Sequence, residues 1–408
     1  LVQTRASVIS AGTEKMLVEF ARGGLLAKAR QQPERVRQAI EKVKTDGLLS
    51  TVDAIRNRLD QPIPLGYSSA GRVVAVGAGV AGIEVGDRVA SNGPHAEVAH
   101  VPMNLCAKIP EKVGDADAAF SVLGAISLQG VRLLKPELGE TVTVYGLGLL
   151  GLLAVQLLVN SGVKVIGIDI DDARLDLAES FGAIPINAAS YPDVAPACRS
   201  HAPNAGVDGV LITASSQGDD IIHQSAEMSR QRGRIVLVGV VDMQLDRADF
   251  YQKELSFQVS CSYGPGRYDP QYEKQGVDYP QAFVRWTEQR NIAAVVELMA
   301  AGKLDLRPLV SQLIPHNEAE RAYDLLTSDP SQMAIVLDYP DAQPALKRVA
   351  VHSDSASVKA GSAVVGVIGA GQFTRGTLLP ALRKTDARIK SIASAGGLSA
   401  ATLAKKFS

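Results

Sequence analysis

The residues best suited to chemistry stand where TVTVYGLGLLGLLAVQLLVNSGVKVIGIDI joins an apolar strand, a glycine loop, an apolar helix and a second strand. Gly146, Gly148 and Gly151 recur as G-x-G-x-x-G. In that pattern the first glycine permits a tight turn, the second lets the backbone approach a pyrophosphate, and the third lets helix and strand pack closely. Leu149 and Leu150 open the helix, whose free N–H groups and partial positive charge suit a diphosphate. Asp169 ends the second strand about 20 residues beyond the first glycine, the place of a carboxylate that binds adenosine ribose hydroxyls. It would repel a 2′-phosphate, so the pattern predicts NAD rather than NADP. Glycines alone are a weak sign; strand, loop, helix, second strand and terminal acid together make it specific. Arg174 follows on the next helix, either at the ribose or simply at the surface. Thr213 and Ser215 close a later strand as candidate adenosine contacts. Val238, Gly239 and Val240 close another, where a nicotinamide belongs.

The elements around this unit predict an α/β protein. Residues 1–125 are rich in β-branched strands punctuated by glycine, such as Gly71 to Gly77 and Asp87 to Ala90, which reads as a mainly β domain. A helical insertion over 14–59 interrupts them, with Val36, Ile40, Val43 and Leu48 at helical intervals. Residues 126–262 alternate strands and helices, the pattern of a parallel, doubly wound sheet covered on both faces. Residues 263–340 hold the loop SYGPGRYDPQYE, helices around Phe283 to Ala300 and Glu318 to Leu326, and a closing strand Ala334 to Asp338. Residues 341–362 are polar and irregular, a linker. From 363 to 408 the strand–glycine–helix–strand pattern returns with Gly369 and Gly371. Thr374 takes the third glycine position, and Ser394 and Ala395 stand where the acid would be. This reads as the truncated start of a second Rossmann-like domain, and the chain as a piece of a longer protein.

At 408 residues the chain exceeds a single hydrophobic core, so several domains are expected. A net charge of -1 leaves no basic excess to suggest nucleic acid. The longest apolar runs contain glycines and fit buried α/β elements rather than a membrane span. Three cysteines without CxxC spacing predict a reducing, cytoplasmic setting. The partner expected is a small-molecule substrate; a homo-oligomer remains open.

Residues 1–340 resemble the medium-chain dehydrogenase/reductase family, the zinc alcohol dehydrogenase superfamily. PLGYSSAGRVVAVGAGVAGIEVGDRVA, HAEVAHVP, the glycine unit, NEAERAYDLL and AIVLDY carry the resemblance, in family order. It implies a GroES-like catalytic β domain (1–125, resumed at 263–340) split around a Rossmann domain, with the active site in the cleft. The segment from Val364 resembles the start of the glucose-fructose oxidoreductase-like (Gfo/Idh/MocA) family. The tandem looks like bacterial two-domain oxidoreductases acting on carbohydrates, which implies a sugar-like substrate. ISAGTE is similar to the zinc-poor branch that includes bacteriochlorophyllide dehydrogenase.

Departures from the family pattern shape the expected chemistry. Catalytic zinc needs thiolate and imidazole ligands at three separated positions. Ala11, Tyr67 and Ala125 stand there, and the four-cysteine structural lobe is missing, so no metal is expected. Without a Lewis acid the reacting oxygen needs other donors and a proton route. Thr13 matches the family's relay hydroxyl, Tyr67 faces the vacated metal site, and His95 matches a position lining the substrate pocket. Glu14 would orient such a group. Tyr263, Arg267 and Tyr268 would suit a polar or anionic substrate. Each also has a plainer role: a turn threonine, a phenol filling a cavity, a packed histidine, a solvated carboxylate, a structural tyrosine loop. The resulting expectation is a zinc-independent, NAD-dependent oxidoreductase moving hydride between nicotinamide and an alcohol or carbonyl. An NADPH-type quinone or enone reductase, and a non-catalytic cofactor-binding module scaffolding the C-terminal domain, are the alternatives.

Overall fold

The computed structural model describes residues 1–12, 14–15, 17–18, 64–202, 206–216, 218, 220–340, 350–351, 363–395 and 397–407. Thr13, most of the expected helical insertion and nearly all of the expected linker lie outside the described residues. The chain divides into two compact units, residues 1–18 with 65–343, and residues 19–64 with 344–408.

In the first unit the strands run β1 (Val2–Ser10), β2 (Ser69–Val73), β3 (Arg88–Ser91), β4 (Val98–Ala99) and β5 (Cys106–Lys108). They continue with β6 (Thr141–Tyr145), β7 (Lys164–Asp169), β8 (Ile184–Asn187), β9 (Val207–Ile212), β10 (Ser229–Leu237) and β11 (Ser256–Val259). The unit closes with β12 (Val310–Pro315) and β13 (Ala334–Asp338). Two sheets result. One has the order β12-β13-β1-β2-β3-β5, with β4 also on β1. Its late strands rejoin the first one: β13 pairs antiparallel with β1, Leu337 opposite Ser7. The strands before and after the central region thus build one GroES-like sheet.

The second sheet is parallel throughout, with order β8-β7-β6-β9-β10-β11. In chain order this is the 3-2-1-4-5-6 winding of a Rossmann fold, whose switch point falls between β6 and β9. Every residue of β6 is buried, so its β-branched run TVTVY needs no polar face. The helix Leu149–Asn160 is apolar almost all round because it packs between the sheet and the helix Ser121–Leu134.

The helix expected from Phe283 begins at Glu288, where the Thr287 hydroxyl accepts from the Arg290 amide, and Phe283 itself is 88% exposed. Apolar spacing had suggested the earlier start; the cap fixes the later one. β10 ends at Leu237, so Val238 to Val240 form a loop rather than its last residues.

In the second unit, β14 (Val364–Ile368) and β15 (Arg388–Ala393) pair in parallel. A helical crossover through Leu379–Leu382 joins them, and Val367, Leu379 and Leu403 form a small core. Among the described residues no helix is long and apolar enough to cross a membrane.

Candidate active site

The glycine loop after β6 is shaped by contacts that exclude side chains at two of its three glycines. Gly146 has φ +98°, and a Cβ there would lie 2.5 Å from the Ala214 nitrogen. A Cβ on Gly151 would lie 2.0 Å from the Gly146 carbonyl oxygen. Gly148 differs: it precedes the helix, and the space where its Cβ would project is empty to 4 Å. That opening, beside the first turn formed by Leu149 and Leu150, fits the approach of a diphosphate.

Asp169 ends β7 beside this loop. Its Oδ2 accepts from the Leu147 amide at 2.6 Å, and its Oδ1 from the amides of Ile170 (2.8 Å) and Asp171 (3.1 Å). Arg174 lies within ion-pair reach of Asp169 at 3.8 Å and of Asp171 at 3.7 Å. The carboxylate is therefore tied to the loop it would complement. Thr213 is turned inward: its hydroxyl donates to the Gly146 carbonyl at 2.5 Å and also faces that of Tyr145. It pins the loop to β9. Ser215 is exposed and forms an isolated bridge with Val240, so the segments after β9 and β10 run side by side past the switch point. Gly239 permits that approach, since a Cβ would stand 2.0 Å from the Ala214 carbonyl oxygen. Val238 packs inward against the core. These residues fit a dinucleotide.

The positions that the family resemblance assigns to zinc ligands carry Ala11, Tyr67 and Ala125. Ala125 is buried on the helix Ser121–Leu134, and Tyr67 packs half-buried against the same core. Two methyl groups and a phenol supply no tetrahedral nitrogen–sulfur set. Among the described residues no three His, Cys, Asp or Glu side chains could hold a metal. Burial pushes the thiols of Cys106 and Cys198 up to about 12, which keeps them protonated.

His95 sits in a closed network. Gly66 makes room for it: a Cβ there would be 2.6 Å from the imidazole. His95 Nδ1 meets Ser7 Oγ at 2.7 Å and Nε2 meets Glu14 Oε2 at 3.0 Å. Glu14 is fully buried; it also accepts from the Tyr323 hydroxyl at 2.6 Å and the Ser10 amide at 3.2 Å. The plainer reading of Glu14 as a solvated carboxylate is thereby corrected. Both imidazole nitrogens are engaged, so His95 has none left for direct contact with a substrate or with solvent. Ser7 and Tyr323 had no signal in the sequence, since a serine inside a strand and a tyrosine on an amphipathic helix look like ordinary packing.

The loop after β11 is held mostly by its own contacts. Tyr263 is buried, and its hydroxyl accepts from Asn92 at 3.1 Å. Arg267 pairs with Glu273 and lies over the rings of Tyr263 and Tyr268. Only Tyr268, 72% exposed, presents much of its surface. Beneath the loop lies Glu288, fully buried, with neither carboxylate oxygen hydrogen-bonded among the described residues. Burial, reinforced by the nearby Glu273 carboxylate and opposed by Arg267, raises its pKa from 4.5 to about 8. The folded state then holds a proton that the unfolded chain has lost. The stability that this group contributes is therefore fully present below pH 4.5 and is lost as pH rises toward 8. Glu288→Gln removes this dependence, and its melting-temperature gain over the parent should widen between pH 5 and pH 8. A gain independent of pH would show that Glu288 does not titrate in this range.

Comparison with known proteins agrees with this architecture. Residues 39–130 match the alcohol dehydrogenase GroES-like domain family, and residues 150–277 the zinc-binding dehydrogenase family. The chain is 26% identical over 298 residues to a probable D-xylulose reductase A of Aspergillus clavatus, covering 64% of this chain and 76% of the relative. It is 25% identical over 302 residues to the Emericella nidulans counterpart, covering 64% and 77%. Among solved structures, alcohol dehydrogenase TADH from Thermus sp. ATN1 superposes with a TM-score of 0.62 at 22% identity, covering 83% of this chain and 92% of that one. Galactitol-1-phosphate dehydrogenase from Escherichia coli gives 0.60 at 20% identity, covering 83% and 91%; at such identities these two show the fold alone. With a GroES-like sheet, a Rossmann sheet in the family winding and both domain families matched in order, the chain belongs to the medium-chain, zinc-type alcohol dehydrogenase family and is an oxidoreductase.

Proposed function

We propose that this chain is an NAD-dependent dehydrogenase that works without zinc and interconverts a carbinol and a carbonyl on a sugar-like polyol. The observation that carries the cofactor half is Asp169, a carboxylate fixed at the end of β7 against the Gly146–Gly151 loop. The substrate half is supported by the relatives named as D-xylulose reductases. Gly146, Gly148, Leu149, Leu150 and Gly151 would hold the diphosphate, Asp169 and Arg174 the adenosine ribose, and Val238 to Val240 the nicotinamide side. Bound there, the nicotinamide supplies the two-electron acceptor or donor.

The chain's own groups manage the oxygen and its proton. Tyr67 and Thr13 are proposed to hydrogen-bond the reacting oxygen, doing in part what a metal would do. His95 and Glu14 are proposed to handle the proton from within, not as a direct exit to solvent, because both ring nitrogens are engaged. Tyr268 is the loop residue best placed for a substrate contact. The parallel β14–β15 pair, with Thr374 donating to the Gly369 carbonyl, supports a Rossmann-like reading of residues 363–407.

The test is NADH oxidation with D-xylulose by protein dialysed against a chelator, with elemental analysis of the same sample. Unchanged turnover with negligible zinc is expected. Stoichiometric zinc, with activity lost on chelation and restored by the metal, would sink the metal-free reading.

A further inference from the structure

Three arginines line one cavity of about 260 Å³ in the GroES-like sheet, and every residue around it belongs to the first unit. Arg5 comes from β1, Arg72 from β2 and Arg88 from β3. The strand register explains how they meet. Arg72 and Arg88 are direct partners on the antiparallel β2–β3 pair, so both side chains leave the sheet on the same face. β1 pairs with β2 through Thr4 opposite Gly71 and Ala6 opposite Ala70, which leaves Arg5 as the extra residue of a bulge. A bulge re-aims the side chain it carries, and this one brings Arg5 to the cavity of the other two. Gly71 keeps the strands close there, since a Cβ would stand 2.1 Å from the Gln3 carbonyl oxygen. Tyr339, which follows β13 and hydrogen-bonds Ser7 Oγ at 3.0 Å, lines the cavity too.

Like charges directly opposite each other on paired strands are destabilising, so this register works against the sheet unless the charge is answered. Two carboxylates, Asp115 and Asp338, line the same cavity. Asp115 is committed to Arg88: its Oδ1 accepts from Nε at 3.0 Å and from Nη2 at 2.6 Å. Asp338 is exposed at the end of β13. Asp87, next to Arg88 in sequence, is held instead by Lys108 at 2.9 Å. Arg72 donates to the Gly86 carbonyl at 2.8 Å, and no carboxylate pairs with it among the described residues. Three guanidinium groups against two carboxylates leave the cavity positive. Its volume lies just under the roughly 300 Å³ at which pockets for drug-sized ligands begin, which suits a small anion and not a dinucleotide.

We propose that this cavity binds a small phosphate-type anion, inorganic phosphate or a phosphate monoester, between Arg72 and Arg88, with Arg5 adding charge from the bulge. Guanidinium groups present pairs of N–H donors that match phosphate oxygens. The anion bridges three adjacent strands of the GroES-like sheet and relieves the repulsion that their register creates. Asp338 opposes it and limits its affinity. The site lies on the GroES-like sheet, whereas the Gly146–Gly151 loop belongs to the other one, so the proposal stands apart from the dehydrogenase reading.

The test titrates inorganic phosphate, and separately glycerol 3-phosphate, into the full chain by calorimetry in phosphate-free, low-salt buffer. One anion per chain is expected, with chloride at equal ionic strength giving no saturable heat. Arg72→Gln should weaken binding at least tenfold. Asp338→Asn, which removes the opposing charge, should tighten it about threefold. Phosphate should also raise the melting temperature of the parent, as any ligand of the native state does. Without phosphate, Arg72→Gln should melt no lower than the parent, because it removes a like-charged neighbour; a merely structural arginine would lower the melting temperature with or without phosphate. Tighter binding of glycerol 3-phosphate assigns the site to an ester, and tighter binding of phosphate to the free ion. Binding that is unchanged in Arg72→Gln and displaced by NADH would put the anion at the glycine loop and overturn the proposal. So would an Asp338→Asn protein that binds no better than the parent, or no saturable binding at all.

Discussion

Gly151→Ala is expected to cost the protein its cofactor site outright, whereas Gly148→Ala should leave the fold intact and still lose the cofactor. The difference lies in what each added methyl meets. At position 151 it would stand 2.0 Å from the Gly146 carbonyl oxygen and 2.9 Å from the Thr213 hydroxyl. That hydroxyl already bonds the same carbonyl, so neither can retreat without breaking the pin that shapes the loop. Helix and strand must separate, at about 1–3 kcal/mol by analogy with overpacked cores. At position 148, φ is -66° and ψ is -173°, which alanine adopts freely, and no atom lies within 4 Å. Alanine there should stabilise the unliganded protein by about 0.4–1 kcal/mol through the unfolded state. The methyl would enter only the open space that the proposed function assigns to the diphosphate. NADH affinity should fall at least tenfold, about 1.4 kcal/mol. Melting curves and fluorescence titrations with NADH separate the two cases. Parental affinity in Gly148→Ala would mean that the diphosphate lies elsewhere.

Asp169→Ser should move cofactor preference by at least tenfold toward NADPH, about 1.4 kcal/mol. The substitution removes the negative charge that opposes a 2′-phosphate, and it releases Arg174 from a 3.8 Å pairing to face that phosphate. It has a structural cost as well. The carboxylate accepts from three amides, those of Leu147, Ile170 and Asp171, and one serine oxygen cannot replace it. Each amide left without an acceptor costs about 1–3 kcal/mol where water cannot reach it. A lower melting temperature should therefore accompany the changed preference. The structural loss weakens both cofactors, so the ratio of affinities, not either affinity alone, reports recognition.

The cofactor unit was legible because its constraints are local. Glycine spacing, an apolar strand and a terminal acid each act within a few residues, and β7 and β13 fall where the pattern put them. The helix Ser121–Leu134 was not anticipated, although Ala125 was singled out for its place in the family pattern. The helix packs against other helices as well as the sheet, so burial on several sides blurs the amphipathic stripe that would reveal it. The His95 network was half legible. His95 and Glu14 stood out as residue types, whereas Ser7, Tyr323 and Tyr339 reach them only because β1 lies beside β13 and a helix some 300 positions away packs on the same sheet. Tyr263 shows the converse. Its chemistry stood out in the sequence, but the fold spends its hydroxyl on Asn92, leaving Tyr268 as the exposed phenol of that loop.

The most direct test is a pair of equilibrium titrations, NADH and NADPH, on the parent protein after exhaustive chelation. With Asp169 held against the glycine loop and no metal ligand set at Ala11, Tyr67 and Ala125, the metal-stripped protein should bind NADH at least tenfold more tightly than NADPH, about 1.4 kcal/mol. Equal affinities, a preference for NADPH, or binding that appears only when zinc is restored would contradict the account.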